Sequence, residues 1–234
     1  MNCEEAIVLV GGLGMRLRGV VSDVPKPLAP VAGRPFLAWV LDHLADNGIR
    51  RVVLAAGYMA EKVQQCAGAE WKGMAVDYSI EEQALGTGGA IAQARDRLRG
   101  DSAHVLNGDT FLRYRLAGLE VAVSASDARL GVALASVADL SRYGAVEQRG
   151  DMISRFLEKG RSGPGLINAG SYFLGEEALR GLPAGGHAYS FETDVLAPMT
   201  AAGHVVGYSD TEGFIDIGVP EDYLRAQTMF GAAA

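Results

Sequence analysis

The sequence predicts an α/β domain: a Rossmann-like, mainly parallel mixed sheet with helices on both faces. Three observations carry this. Short apolar runs alternate with stretches of helical spacing through the first half of the chain, giving a β-α-β-α-β-α-β rhythm. The first run, Ala6-Ile7-Val8-Leu9-Val10, is apolar at every position, as a central strand buried on both faces requires. No repeat, low-complexity segment or linker interrupts the 234 residues. One domain with two lobes on a continuous sheet follows, the first over about 1–120 and the second over about 121–234.

Taken in order, residues 6–10 form the first strand. Phe36 to Asn47 is a helix, with Phe36, Trp39, Val40, His43 and Leu44 on one face and Gly48 as its stop. Arg51 to Ala56 is a second buried strand and Ala60 to Cys66 a short helix. Val76 to Ile80 is a strand, Gly89 to Leu98 a helix, and Ala103 to Leu106 a strand ending at Asn107-Gly108-Asp109. Val121 to Ser126 reads as a strand or the end of a helix. Gly131 to Val137 is a strand, and Ala145–Gln148 with Met152–Glu158 a hairpin around Gly150-Asp151. Leu166 to Leu174 is a strand, Glu176 to Gly181 a short helix, and Phe191 to Ala202 a helix disturbed by Pro198. Val205–Tyr208 and Gly213–Ile217 are late strands before a last helix, Pro220 to Met229.

Composition narrows the function. Hydrophobic residues make up 49% and charged residues 21%, which suits a globular domain with a full core. A net charge of −7 disfavours a nucleic-acid surface but not phosphate ligands, because a divalent cation can bridge carboxylate to phosphate. Cys3 and Cys66 give neither a disulfide framework nor a zinc pattern. The acidic start Glu4-Glu5 is unlike a signal peptide, and no apolar stretch is long enough to span a membrane, so the expected compartment is the cytoplasm. His43, His104, His187 and His204 show no metal spacing; Trp39, Trp71 and the methionines read as packing residues.

Chemistry concentrates first in Gly11-Gly12-Leu13-Gly14-Met15-Arg16-Leu17-Arg18, directly after the first strand. Glycines let backbone N–H groups approach an anion, and Arg16 with Lys26 of Pro25-Lys26-Pro27 can neutralise phosphate oxygens. Many Gly-rich turns bind nothing; the two flanking cations favour a triphosphate cradle here. A P-loop fails because Met15-Arg16, not Lys-Ser/Thr, follows Gly14, and a dinucleotide fingerprint fails because Leu17 stands where its third glycine belongs.

Carboxylates at strand ends come next. In open α/β sheets ligands sit at the carboxyl ends of strands, a place held by Asp109 and again by Asp216. Each alone reads as a turn or cap; with the cradle they read as ligands of one Mg²⁺. Gly86-Thr87-Gly88-Gly89 precedes a helix and reads either as an anion site or as a tight helix entry. Glu158-Lys159-Gly160 and Asn168-Ala169-Gly170 are ambiguous in isolation.

As an ordered set these segments resemble the sugar-1-phosphate nucleotidylyltransferase family. The resemblance includes Gly11 to Leu17, Pro25-Lys26-Pro27-Leu28, Leu85 to Gly89, and Asn107-Gly108-Asp109. It continues through Tyr143-Gly144-Ala145-Val146-Glu147, Glu158-Lys159, Asn168-Ala169-Gly170 and Asp216-Ile217-Gly218. Within the family the chain looks most like the D-glycero-α-D-manno-heptose 1-phosphate guanylyltransferases, through Val20 to Asp23, Ser79 to Glu82, Gly165 to Asn168, Ser190 to Asp194 and Phe214 to Tyr223. Met15 departs from a usual Thr, Gly160 and Ala84 from frequent prolines, and Phe214 from a frequent Trp. None removes a group the chemistry requires.

The resemblance implies the nucleotide-diphospho-sugar transferase fold and attack by a sugar-phosphate oxygen on the α-phosphorus of a nucleoside triphosphate, with pyrophosphate leaving. It implies Arg16, Lys26 and Lys159 as catalytic residues. Gly11, Gly12, Gly14, Met15, Arg16, Glu81, Gly86 and Thr87 are implied for the nucleotide, and Gly144, Glu158, Lys159, Asn168, Gly170 and Glu192 for the sugar phosphate. Asp109 and Asp216 are implied for Mg²⁺. Glu81, an acceptor-only carboxylate, suits the adjacent N1–H and N2–H₂ donors of guanine, so GTP is the expected nucleotide. The expected product is GDP-heptose for a surface polysaccharide such as capsule or lipopolysaccharide. Mannose 1-phosphate with GTP, an amino-sugar phosphate with UTP, and a non-catalytic nucleotide-sugar-binding homologue are the alternatives. The expected partners are these small molecules, with neither nucleic acid nor membrane; a homo-oligomer is compatible with the sequence. No C-terminal β-helix or acetyltransferase domain, found in some relatives, is expected.

Overall fold

The computed structural model describes residues 3–12 and 24–231. Its spine is a parallel block laid down by the first half of the chain. β1 (Glu5–Leu9) is followed by a small hairpin, β2 (Pro30–Val31) and β3 (Arg34–Pro35). Then come α1 (Phe36–Asp46), β4 (Arg51–Ala56), α2 (Ala60–Ala67), β5 (Glu70–Trp71), β6 (Met74–Ile80), α3 (Gly86–Arg95) and β7 (Ala103–Asn107). β7, β1, β4 and β6 lie side by side and parallel. Ala6, Ile7 and Val8 of β1 and Val52, Val53 and Leu54 of β4 are all 0% exposed, which explains their unbroken apolar runs.

Helices cover both faces because alternate strand residues point opposite ways. Ala6, Val8, Val52 and Leu54 pack into a core shared with α1 and α2, together with α4 (Leu116–Ser124) and α7 (Pro220–Gly231). Ile7, Val53 and Ala55 pack into a second core with α3 and the later helices α5 (Glu176–Arg180) and α6 (Ala197–Ala201). Each buried Val, Leu or Ile in these layers contributes about 1.5–3 kcal/mol relative to exposure.

The second half extends the same sheet with β9 (Leu130–Val137), β10 (Val146–Arg149), β11 (Met152–Phe156), β12 (Gly165–Leu174) and β13 (Val205–Tyr208). The ten-stranded order is β10-β11-β13-β9-β12-β7-β1-β4-β6-β5. β12 runs antiparallel between β7 and β9, while β9 and β13 are parallel, so the sheet is mixed and continuous across both halves. β8 (Thr110–Arg113) and β14 (Glu212–Asp216) leave the sheet and pair with each other as a separate antiparallel ribbon.

Several local expectations change. The helix expected from Gly89 to Leu98 is α3, three residues earlier at each end, because Gly86-Thr87-Gly88-Gly89 forms its first turn instead of a loop before it. Val121–Ser126 resolves to the end of α4. The helix expected over Phe191–Ala202 opens as a π-helical segment, Glu192–Leu196, before α6; Pro198 has no N–H to donate to the preceding turn. β8 is an element the sequence reading lacked.

His104 and His43 behave as packing groups. His104 on β7 is fully buried, its Nε2 3.0 Å from Glu120 Oε1 on α4, and burial pulls its pKa down despite that carboxylate. His43 is half-buried against Phe111 and Tyr114, and burial lowers its pKa to about 4, so it is neutral at physiological pH. Trp39 stacks on Phe230, and Trp71 Nε1 donates to Asp42.

Candidate active site

The site forms where the parallel strands end. β7 runs out at Asn107, and the turn Gly108-Asp109 reverses the chain into β8. A side chain at position 108 has no room: a Cβ there would lie 2.8 Å from Leu9 O and 2.7 Å from Val10 Cγ1. Close approach of this turn to the end of β1 therefore fixes where Asp109 sits. β14 pairs antiparallel with β8, setting Asp216 opposite Thr110, and the Ile217 amide donates to Asp109 O at 3.1 Å. Asp216 thus reaches the site from the ribbon, not from the carboxyl end of a main-sheet strand as expected. The two acids are brought together by the ribbon's register.

Lys26 comes from a third direction. It opens a single 3-10 turn, Lys26–Leu28, whose Pro27 and Leu28 are buried and whose prolines 25 and 27 restrict the backbone. Its ammonium donates to Asp109 Oδ2 at 2.6 Å and to Asp216 Oδ1 at 3.3 Å. Asp216 Oδ1 also accepts from the Gly218 amide at 2.7 Å. The Lys26 side chain is 11% exposed, those of Asp109 and Asp216 34% and 39%. Three residues separated by up to 190 positions therefore share one point, with carboxylate oxygens turned to solvent.

The nucleotide candidates line the neighbouring strand ends. A Cβ on Gly11 would lie 3.1 Å from Gly57 N and 3.2 Å from Glu81 Oε1, so the loop after β1, the loop after β4 and the end of β6 converge. Glu81 is half-buried; its Oε2 accepts from the Leu85 amide at 2.9 Å. Burial raises its pKa above the usual carboxylate value, and the Leu85 amide opposes the rise. Gly12 is exposed beside Gly11. Gly14, Met15 and Arg16 lie outside the described residues.

Gly86, Gly88 and Gly89 also have a packing reason, in line with the tight-entry alternative. The segment 187–191 lies across them: Gly88 N–H donates to Tyr189 O at 3.0 Å, and Tyr189 N–H donates to Leu85 O at 3.0 Å. A Cβ on Gly89 would lie 2.7 Å from His187 O. Thr87 is tied to the same segment. Its hydroxyl donates to Glu192 Oε2 at 2.8 Å and accepts from the Phe191 amide at 2.9 Å. Thr87 and Glu192, expected in different subsites, are hydrogen-bonded neighbours.

The sugar-phosphate candidates lie along β12 and its neighbours. Gly170 has φ +67°, and a Cβ there would fall on the Asn107 side chain, next to Gly108-Asp109. Only a glycine fits both conditions. Asn168 accepts from the Gly170 amide at 2.9 Å and donates to Tyr172 OH at 3.0 Å, which fixes the irregularity in the β9–β12 pairing. Gly144 packs beneath Leu157 O, where a Cβ would be 2.8 Å away. Leu157 N–H donates to Ala145 O, so the Tyr143–Ala145 turn meets the Leu157-Glu158-Lys159 segment. Glu158 and Lys159 are exposed. Asn107, Gly57 and Gly218 are site residues the reading did not single out, although Asn107 and Gly218 stand inside its motifs.

Among the described residues no group of three or more His, Cys, Asp or Glu side chains forms a metal cluster. The chemistry of the pair still fits Mg²⁺: two hard carboxylates already converge on one cation, the Lys26 ammonium. Magnesium usually takes one or two carboxylates and completes its shell with water and substrate phosphates.

Comparison with known proteins identifies the family and the fold. The Nucleotidyl transferase family model matches residues 5–231. The chain is 38% identical over 223 residues to D-glycero-alpha-D-manno-heptose 1-phosphate guanylyltransferase of Aneurinibacillus thermoaerophilus, covering 95% of this chain and 96% of that one. It is 36% identical over 226 residues to mannose-1-phosphate guanylyltransferase of Mycobacterium tuberculosis, covering 94% of this chain and 63% of that one. The fold matches a crystal structure of HddC from Yersinia pseudotuberculosis complexed with GMP-PN, with a TM-score of 0.84 and 34% identity over 97% of this chain and 100% of that one. With a family match over nearly its whole length and relatives this similar end to end, the chain belongs to the nucleotidyl transferase family.

Proposed function

We propose that this protein transfers a guanylyl group from GTP to a D-glycero-α-D-manno-heptose 1-phosphate, releasing pyrophosphate and forming GDP-heptose. The convergence of Lys26, Asp109 and Asp216 at the strand ends is the observation that carries the reaction type. The guanylyltransferases matched over nearly the full length of both chains support the substrate pair.

In the forward step an oxygen of the sugar phosphate forms a bond to the α-phosphorus, and the bond from that phosphorus to the bridging oxygen of the leaving pyrophosphate breaks. A phosphate monoester is largely ionised near neutral pH, so no general base is required. The protein's work is positioning and charge neutralisation. The loop from Gly11 to Gly14, with Met15 and Arg16, would hold the triphosphate. Glu81 would accept from the guanine edge, and the Gly86-Thr87 turn would flank the nucleotide. Lys26 would neutralise charge around the α-phosphorus. Lys159 would hold the incoming sugar phosphate beside Gly144, Glu158, Asn168, Gly170 and Glu192, which offer mixed donors and acceptors to sugar hydroxyls. Asp109 and Asp216 would hold Mg²⁺, which when bound neutralises phosphate charge. The cytoplasm, where nucleoside triphosphates are made, is the proposed compartment, and surface polysaccharide synthesis the proposed use.

Pyrophosphate release by the purified protein tests this, with GTP, ATP, UTP, CTP and dTTP each offered heptose 1-phosphate, mannose 1-phosphate and N-acetylglucosamine 1-phosphate. The expected maximum is GTP with heptose 1-phosphate. A maximum with mannose 1-phosphate would select the second reading, which the M. tuberculosis relative favours. Binding of GDP-sugars without release from any pair would select a non-catalytic homologue.

A further inference from the structure

Lys26 is assigned above to the nucleotide's phosphates, yet its ammonium stands between the two acids assigned to the metal. Both contacts are direct, at 2.6 and 3.3 Å, and the lysine side chain is 11% exposed. We propose that Lys26 is the resident cation of this acid pair before nucleotide arrives, so that Mg²⁺ is admitted only together with the triphosphate that draws the ammonium away. The inference rests on the phosphotransfer reading and adds an order of events to it.

The contacts make the two cations competitors. Magnesium needs carboxylate oxygens at about 2.0–2.1 Å, and Asp109 Oδ2 and Asp216 Oδ1 are the oxygens already engaged by Nζ. An ammonium kept at hydrogen-bonding distance from those oxygens would also repel a dication placed on them. The wall beside them is closed. A Cβ at position 218 would lie 2.8 Å from Asp216 Oδ1 and 2.9 Å from Lys26 Nζ, so glycine just admits the existing arrangement. The Gly218 amide further holds Asp216 Oδ1 in place.

Release is built into the lysine itself. Its backbone is fixed by the turn with Pro25 and Pro27, while its four-carbon stem carries a point charge that needs no planar match to its partner. A triphosphate offers that charge several oxygens at once. Metal and nucleotide then help each other to bind, each raising the other's affinity by the same factor. Part of that factor is the cost of moving Lys26, which neither ligand meets twice.

The test measures Mn²⁺ binding without nucleotide, from the electron paramagnetic resonance signal of free Mn²⁺. Wild type, Lys26→Gln, Lys26→Met and the double variant Lys26→Gln/Asp109→Asn are compared, with melting curves to establish folding. Removing the ammonium is expected to tighten apo Mn²⁺ binding about tenfold, the size of one exposed-to-buried ion-pair contact, and Asp109→Asn is expected to abolish the gain. Equal affinity in wild type and in both folded single variants would overturn the proposal. A separate titration of wild type and Asp109→Asn with Mn·GTP isolates the underlying reading. If Asp109→Asn weakens Mn·GTP binding while Lys26→Gln gains nothing, the metal reading stands and the ordering falls. If Asp109→Asn has no effect, both fall. Should neither lysine variant fold, wild-type crystals soaked in Mn²⁺ alone decide: no anomalous peak between Asp109 and Asp216 until GTP is added is expected, and a peak without GTP would overturn the ordering.

Discussion

Glu5 and Arg51, at the amino-terminal ends of β1 and β4, form a chain of alternating sign with Asp77, midway along β6, and Arg97. Arg51 Nη2 meets Asp77 Oδ2 at 2.6 Å, Arg51 Nε lies 3.5 Å from Glu5 Oε1, and Arg97 Nη1 lies 3.5 Å from Asp77 Oδ1. The Arg51 Nε contact is an ion-pair distance without a hydrogen bond. Glu5 is further satisfied by the amides of Arg99 and Gly100, at 2.9 and 2.5 Å. Beyond the carboxyl ends of β1 and β7, among the described residues, one ammonium faces two carboxylates, each more than a third exposed at its side chain. The first cluster has two charges of each sign and its acids are filled by backbone donors. Among the described residues the second carries an excess of negative charge and spare lone pairs. An ion network that is neutral and filled holds strands together; one left short of a positive charge can bind something.

That contrast predicts opposite effects for similar substitutions. Asp109→Asn is expected to lower turnover about 10²–10³-fold, the scale of removing one electrostatic group from a phosphoryl or acyl transition state, while melting close to wild type. Pyrophosphate release and a thermal melt measure both. Glu5→Gln is expected to do the reverse. A Gln retains one acceptor but turns an NH₂ toward the Arg99 and Gly100 amides and leaves Arg51 with less compensation, a loss of about 2–4 kcal/mol with unchanged turnover per folded molecule. Denaturant melts at fixed temperature give that number. If Asp109→Asn unfolds the protein, or Glu5→Gln slows it, the division between the two ends is wrong.

Asp216→Ala sharpens the active end. Asp216 makes the longer contact to Lys26 and keeps a second bond from Gly218, so its expected loss is smaller and falls on the metal. The Mg²⁺ concentration for half-maximal rate should rise about tenfold, equivalent to one carboxylate's share of a cation site. An unchanged Mg²⁺ titration would remove Asp216 from the ligand set.

The strands that carry these clusters were legible in the sequence, and the reason is local. β1, β4 and β7 are buried on both faces, so their apolar runs announce themselves, and Gly108-Asp109 follows one of them directly. α1 was equally plain from its one apolar face and the stop at Gly48. What was not legible depends on distant partners. β8 has only Phe111 and Leu112 as an apolar signal, and its pairing partner β14 lies a hundred residues on. The sequence marks Asp216 for the site, but its arrival on a ribbon depends on that pairing. The contact of Lys26 with both acids, and the packing of Gly88 and Gly89 against Tyr189 and His187, are likewise products of tertiary packing. Of the cradle, Gly11 lies against Gly57 and Glu81 and Gly12 is exposed beside it, while Gly14, Met15 and Arg16 fall outside the described residues.

Glu81 gives the smallest effect and the finest test of the idea that the carboxyl-terminal end is tuned for ligand at the expense of the fold. Burial raises its pKa, with the Leu85 amide pulling the other way. A carboxyl whose folded pKa lies above its unfolded value binds more protons folded than unfolded. Its contribution to stability is therefore present at low pH and lost as pH rises through the folded value, so at neutral pH the ionised Glu81 weakens the protein slightly. Glu81→Gln removes the charge and keeps an acceptor for the Leu85 amide. The variant should melt a little above wild type at pH 7, with the gap closing as pH falls into the carboxylate range. Its GTP-to-UTP preference should fall about tenfold, since an amide no longer offers two acceptors to the N1–H and N2–H₂ edge of guanine. Melting curves from pH 4 to 8 and competition between the two triphosphates check both halves. A variant that melts lower at pH 7 yet keeps its preference would make Glu81 a structural acid like Glu5, and the two ends of the sheet would then differ only in how they pair their charges.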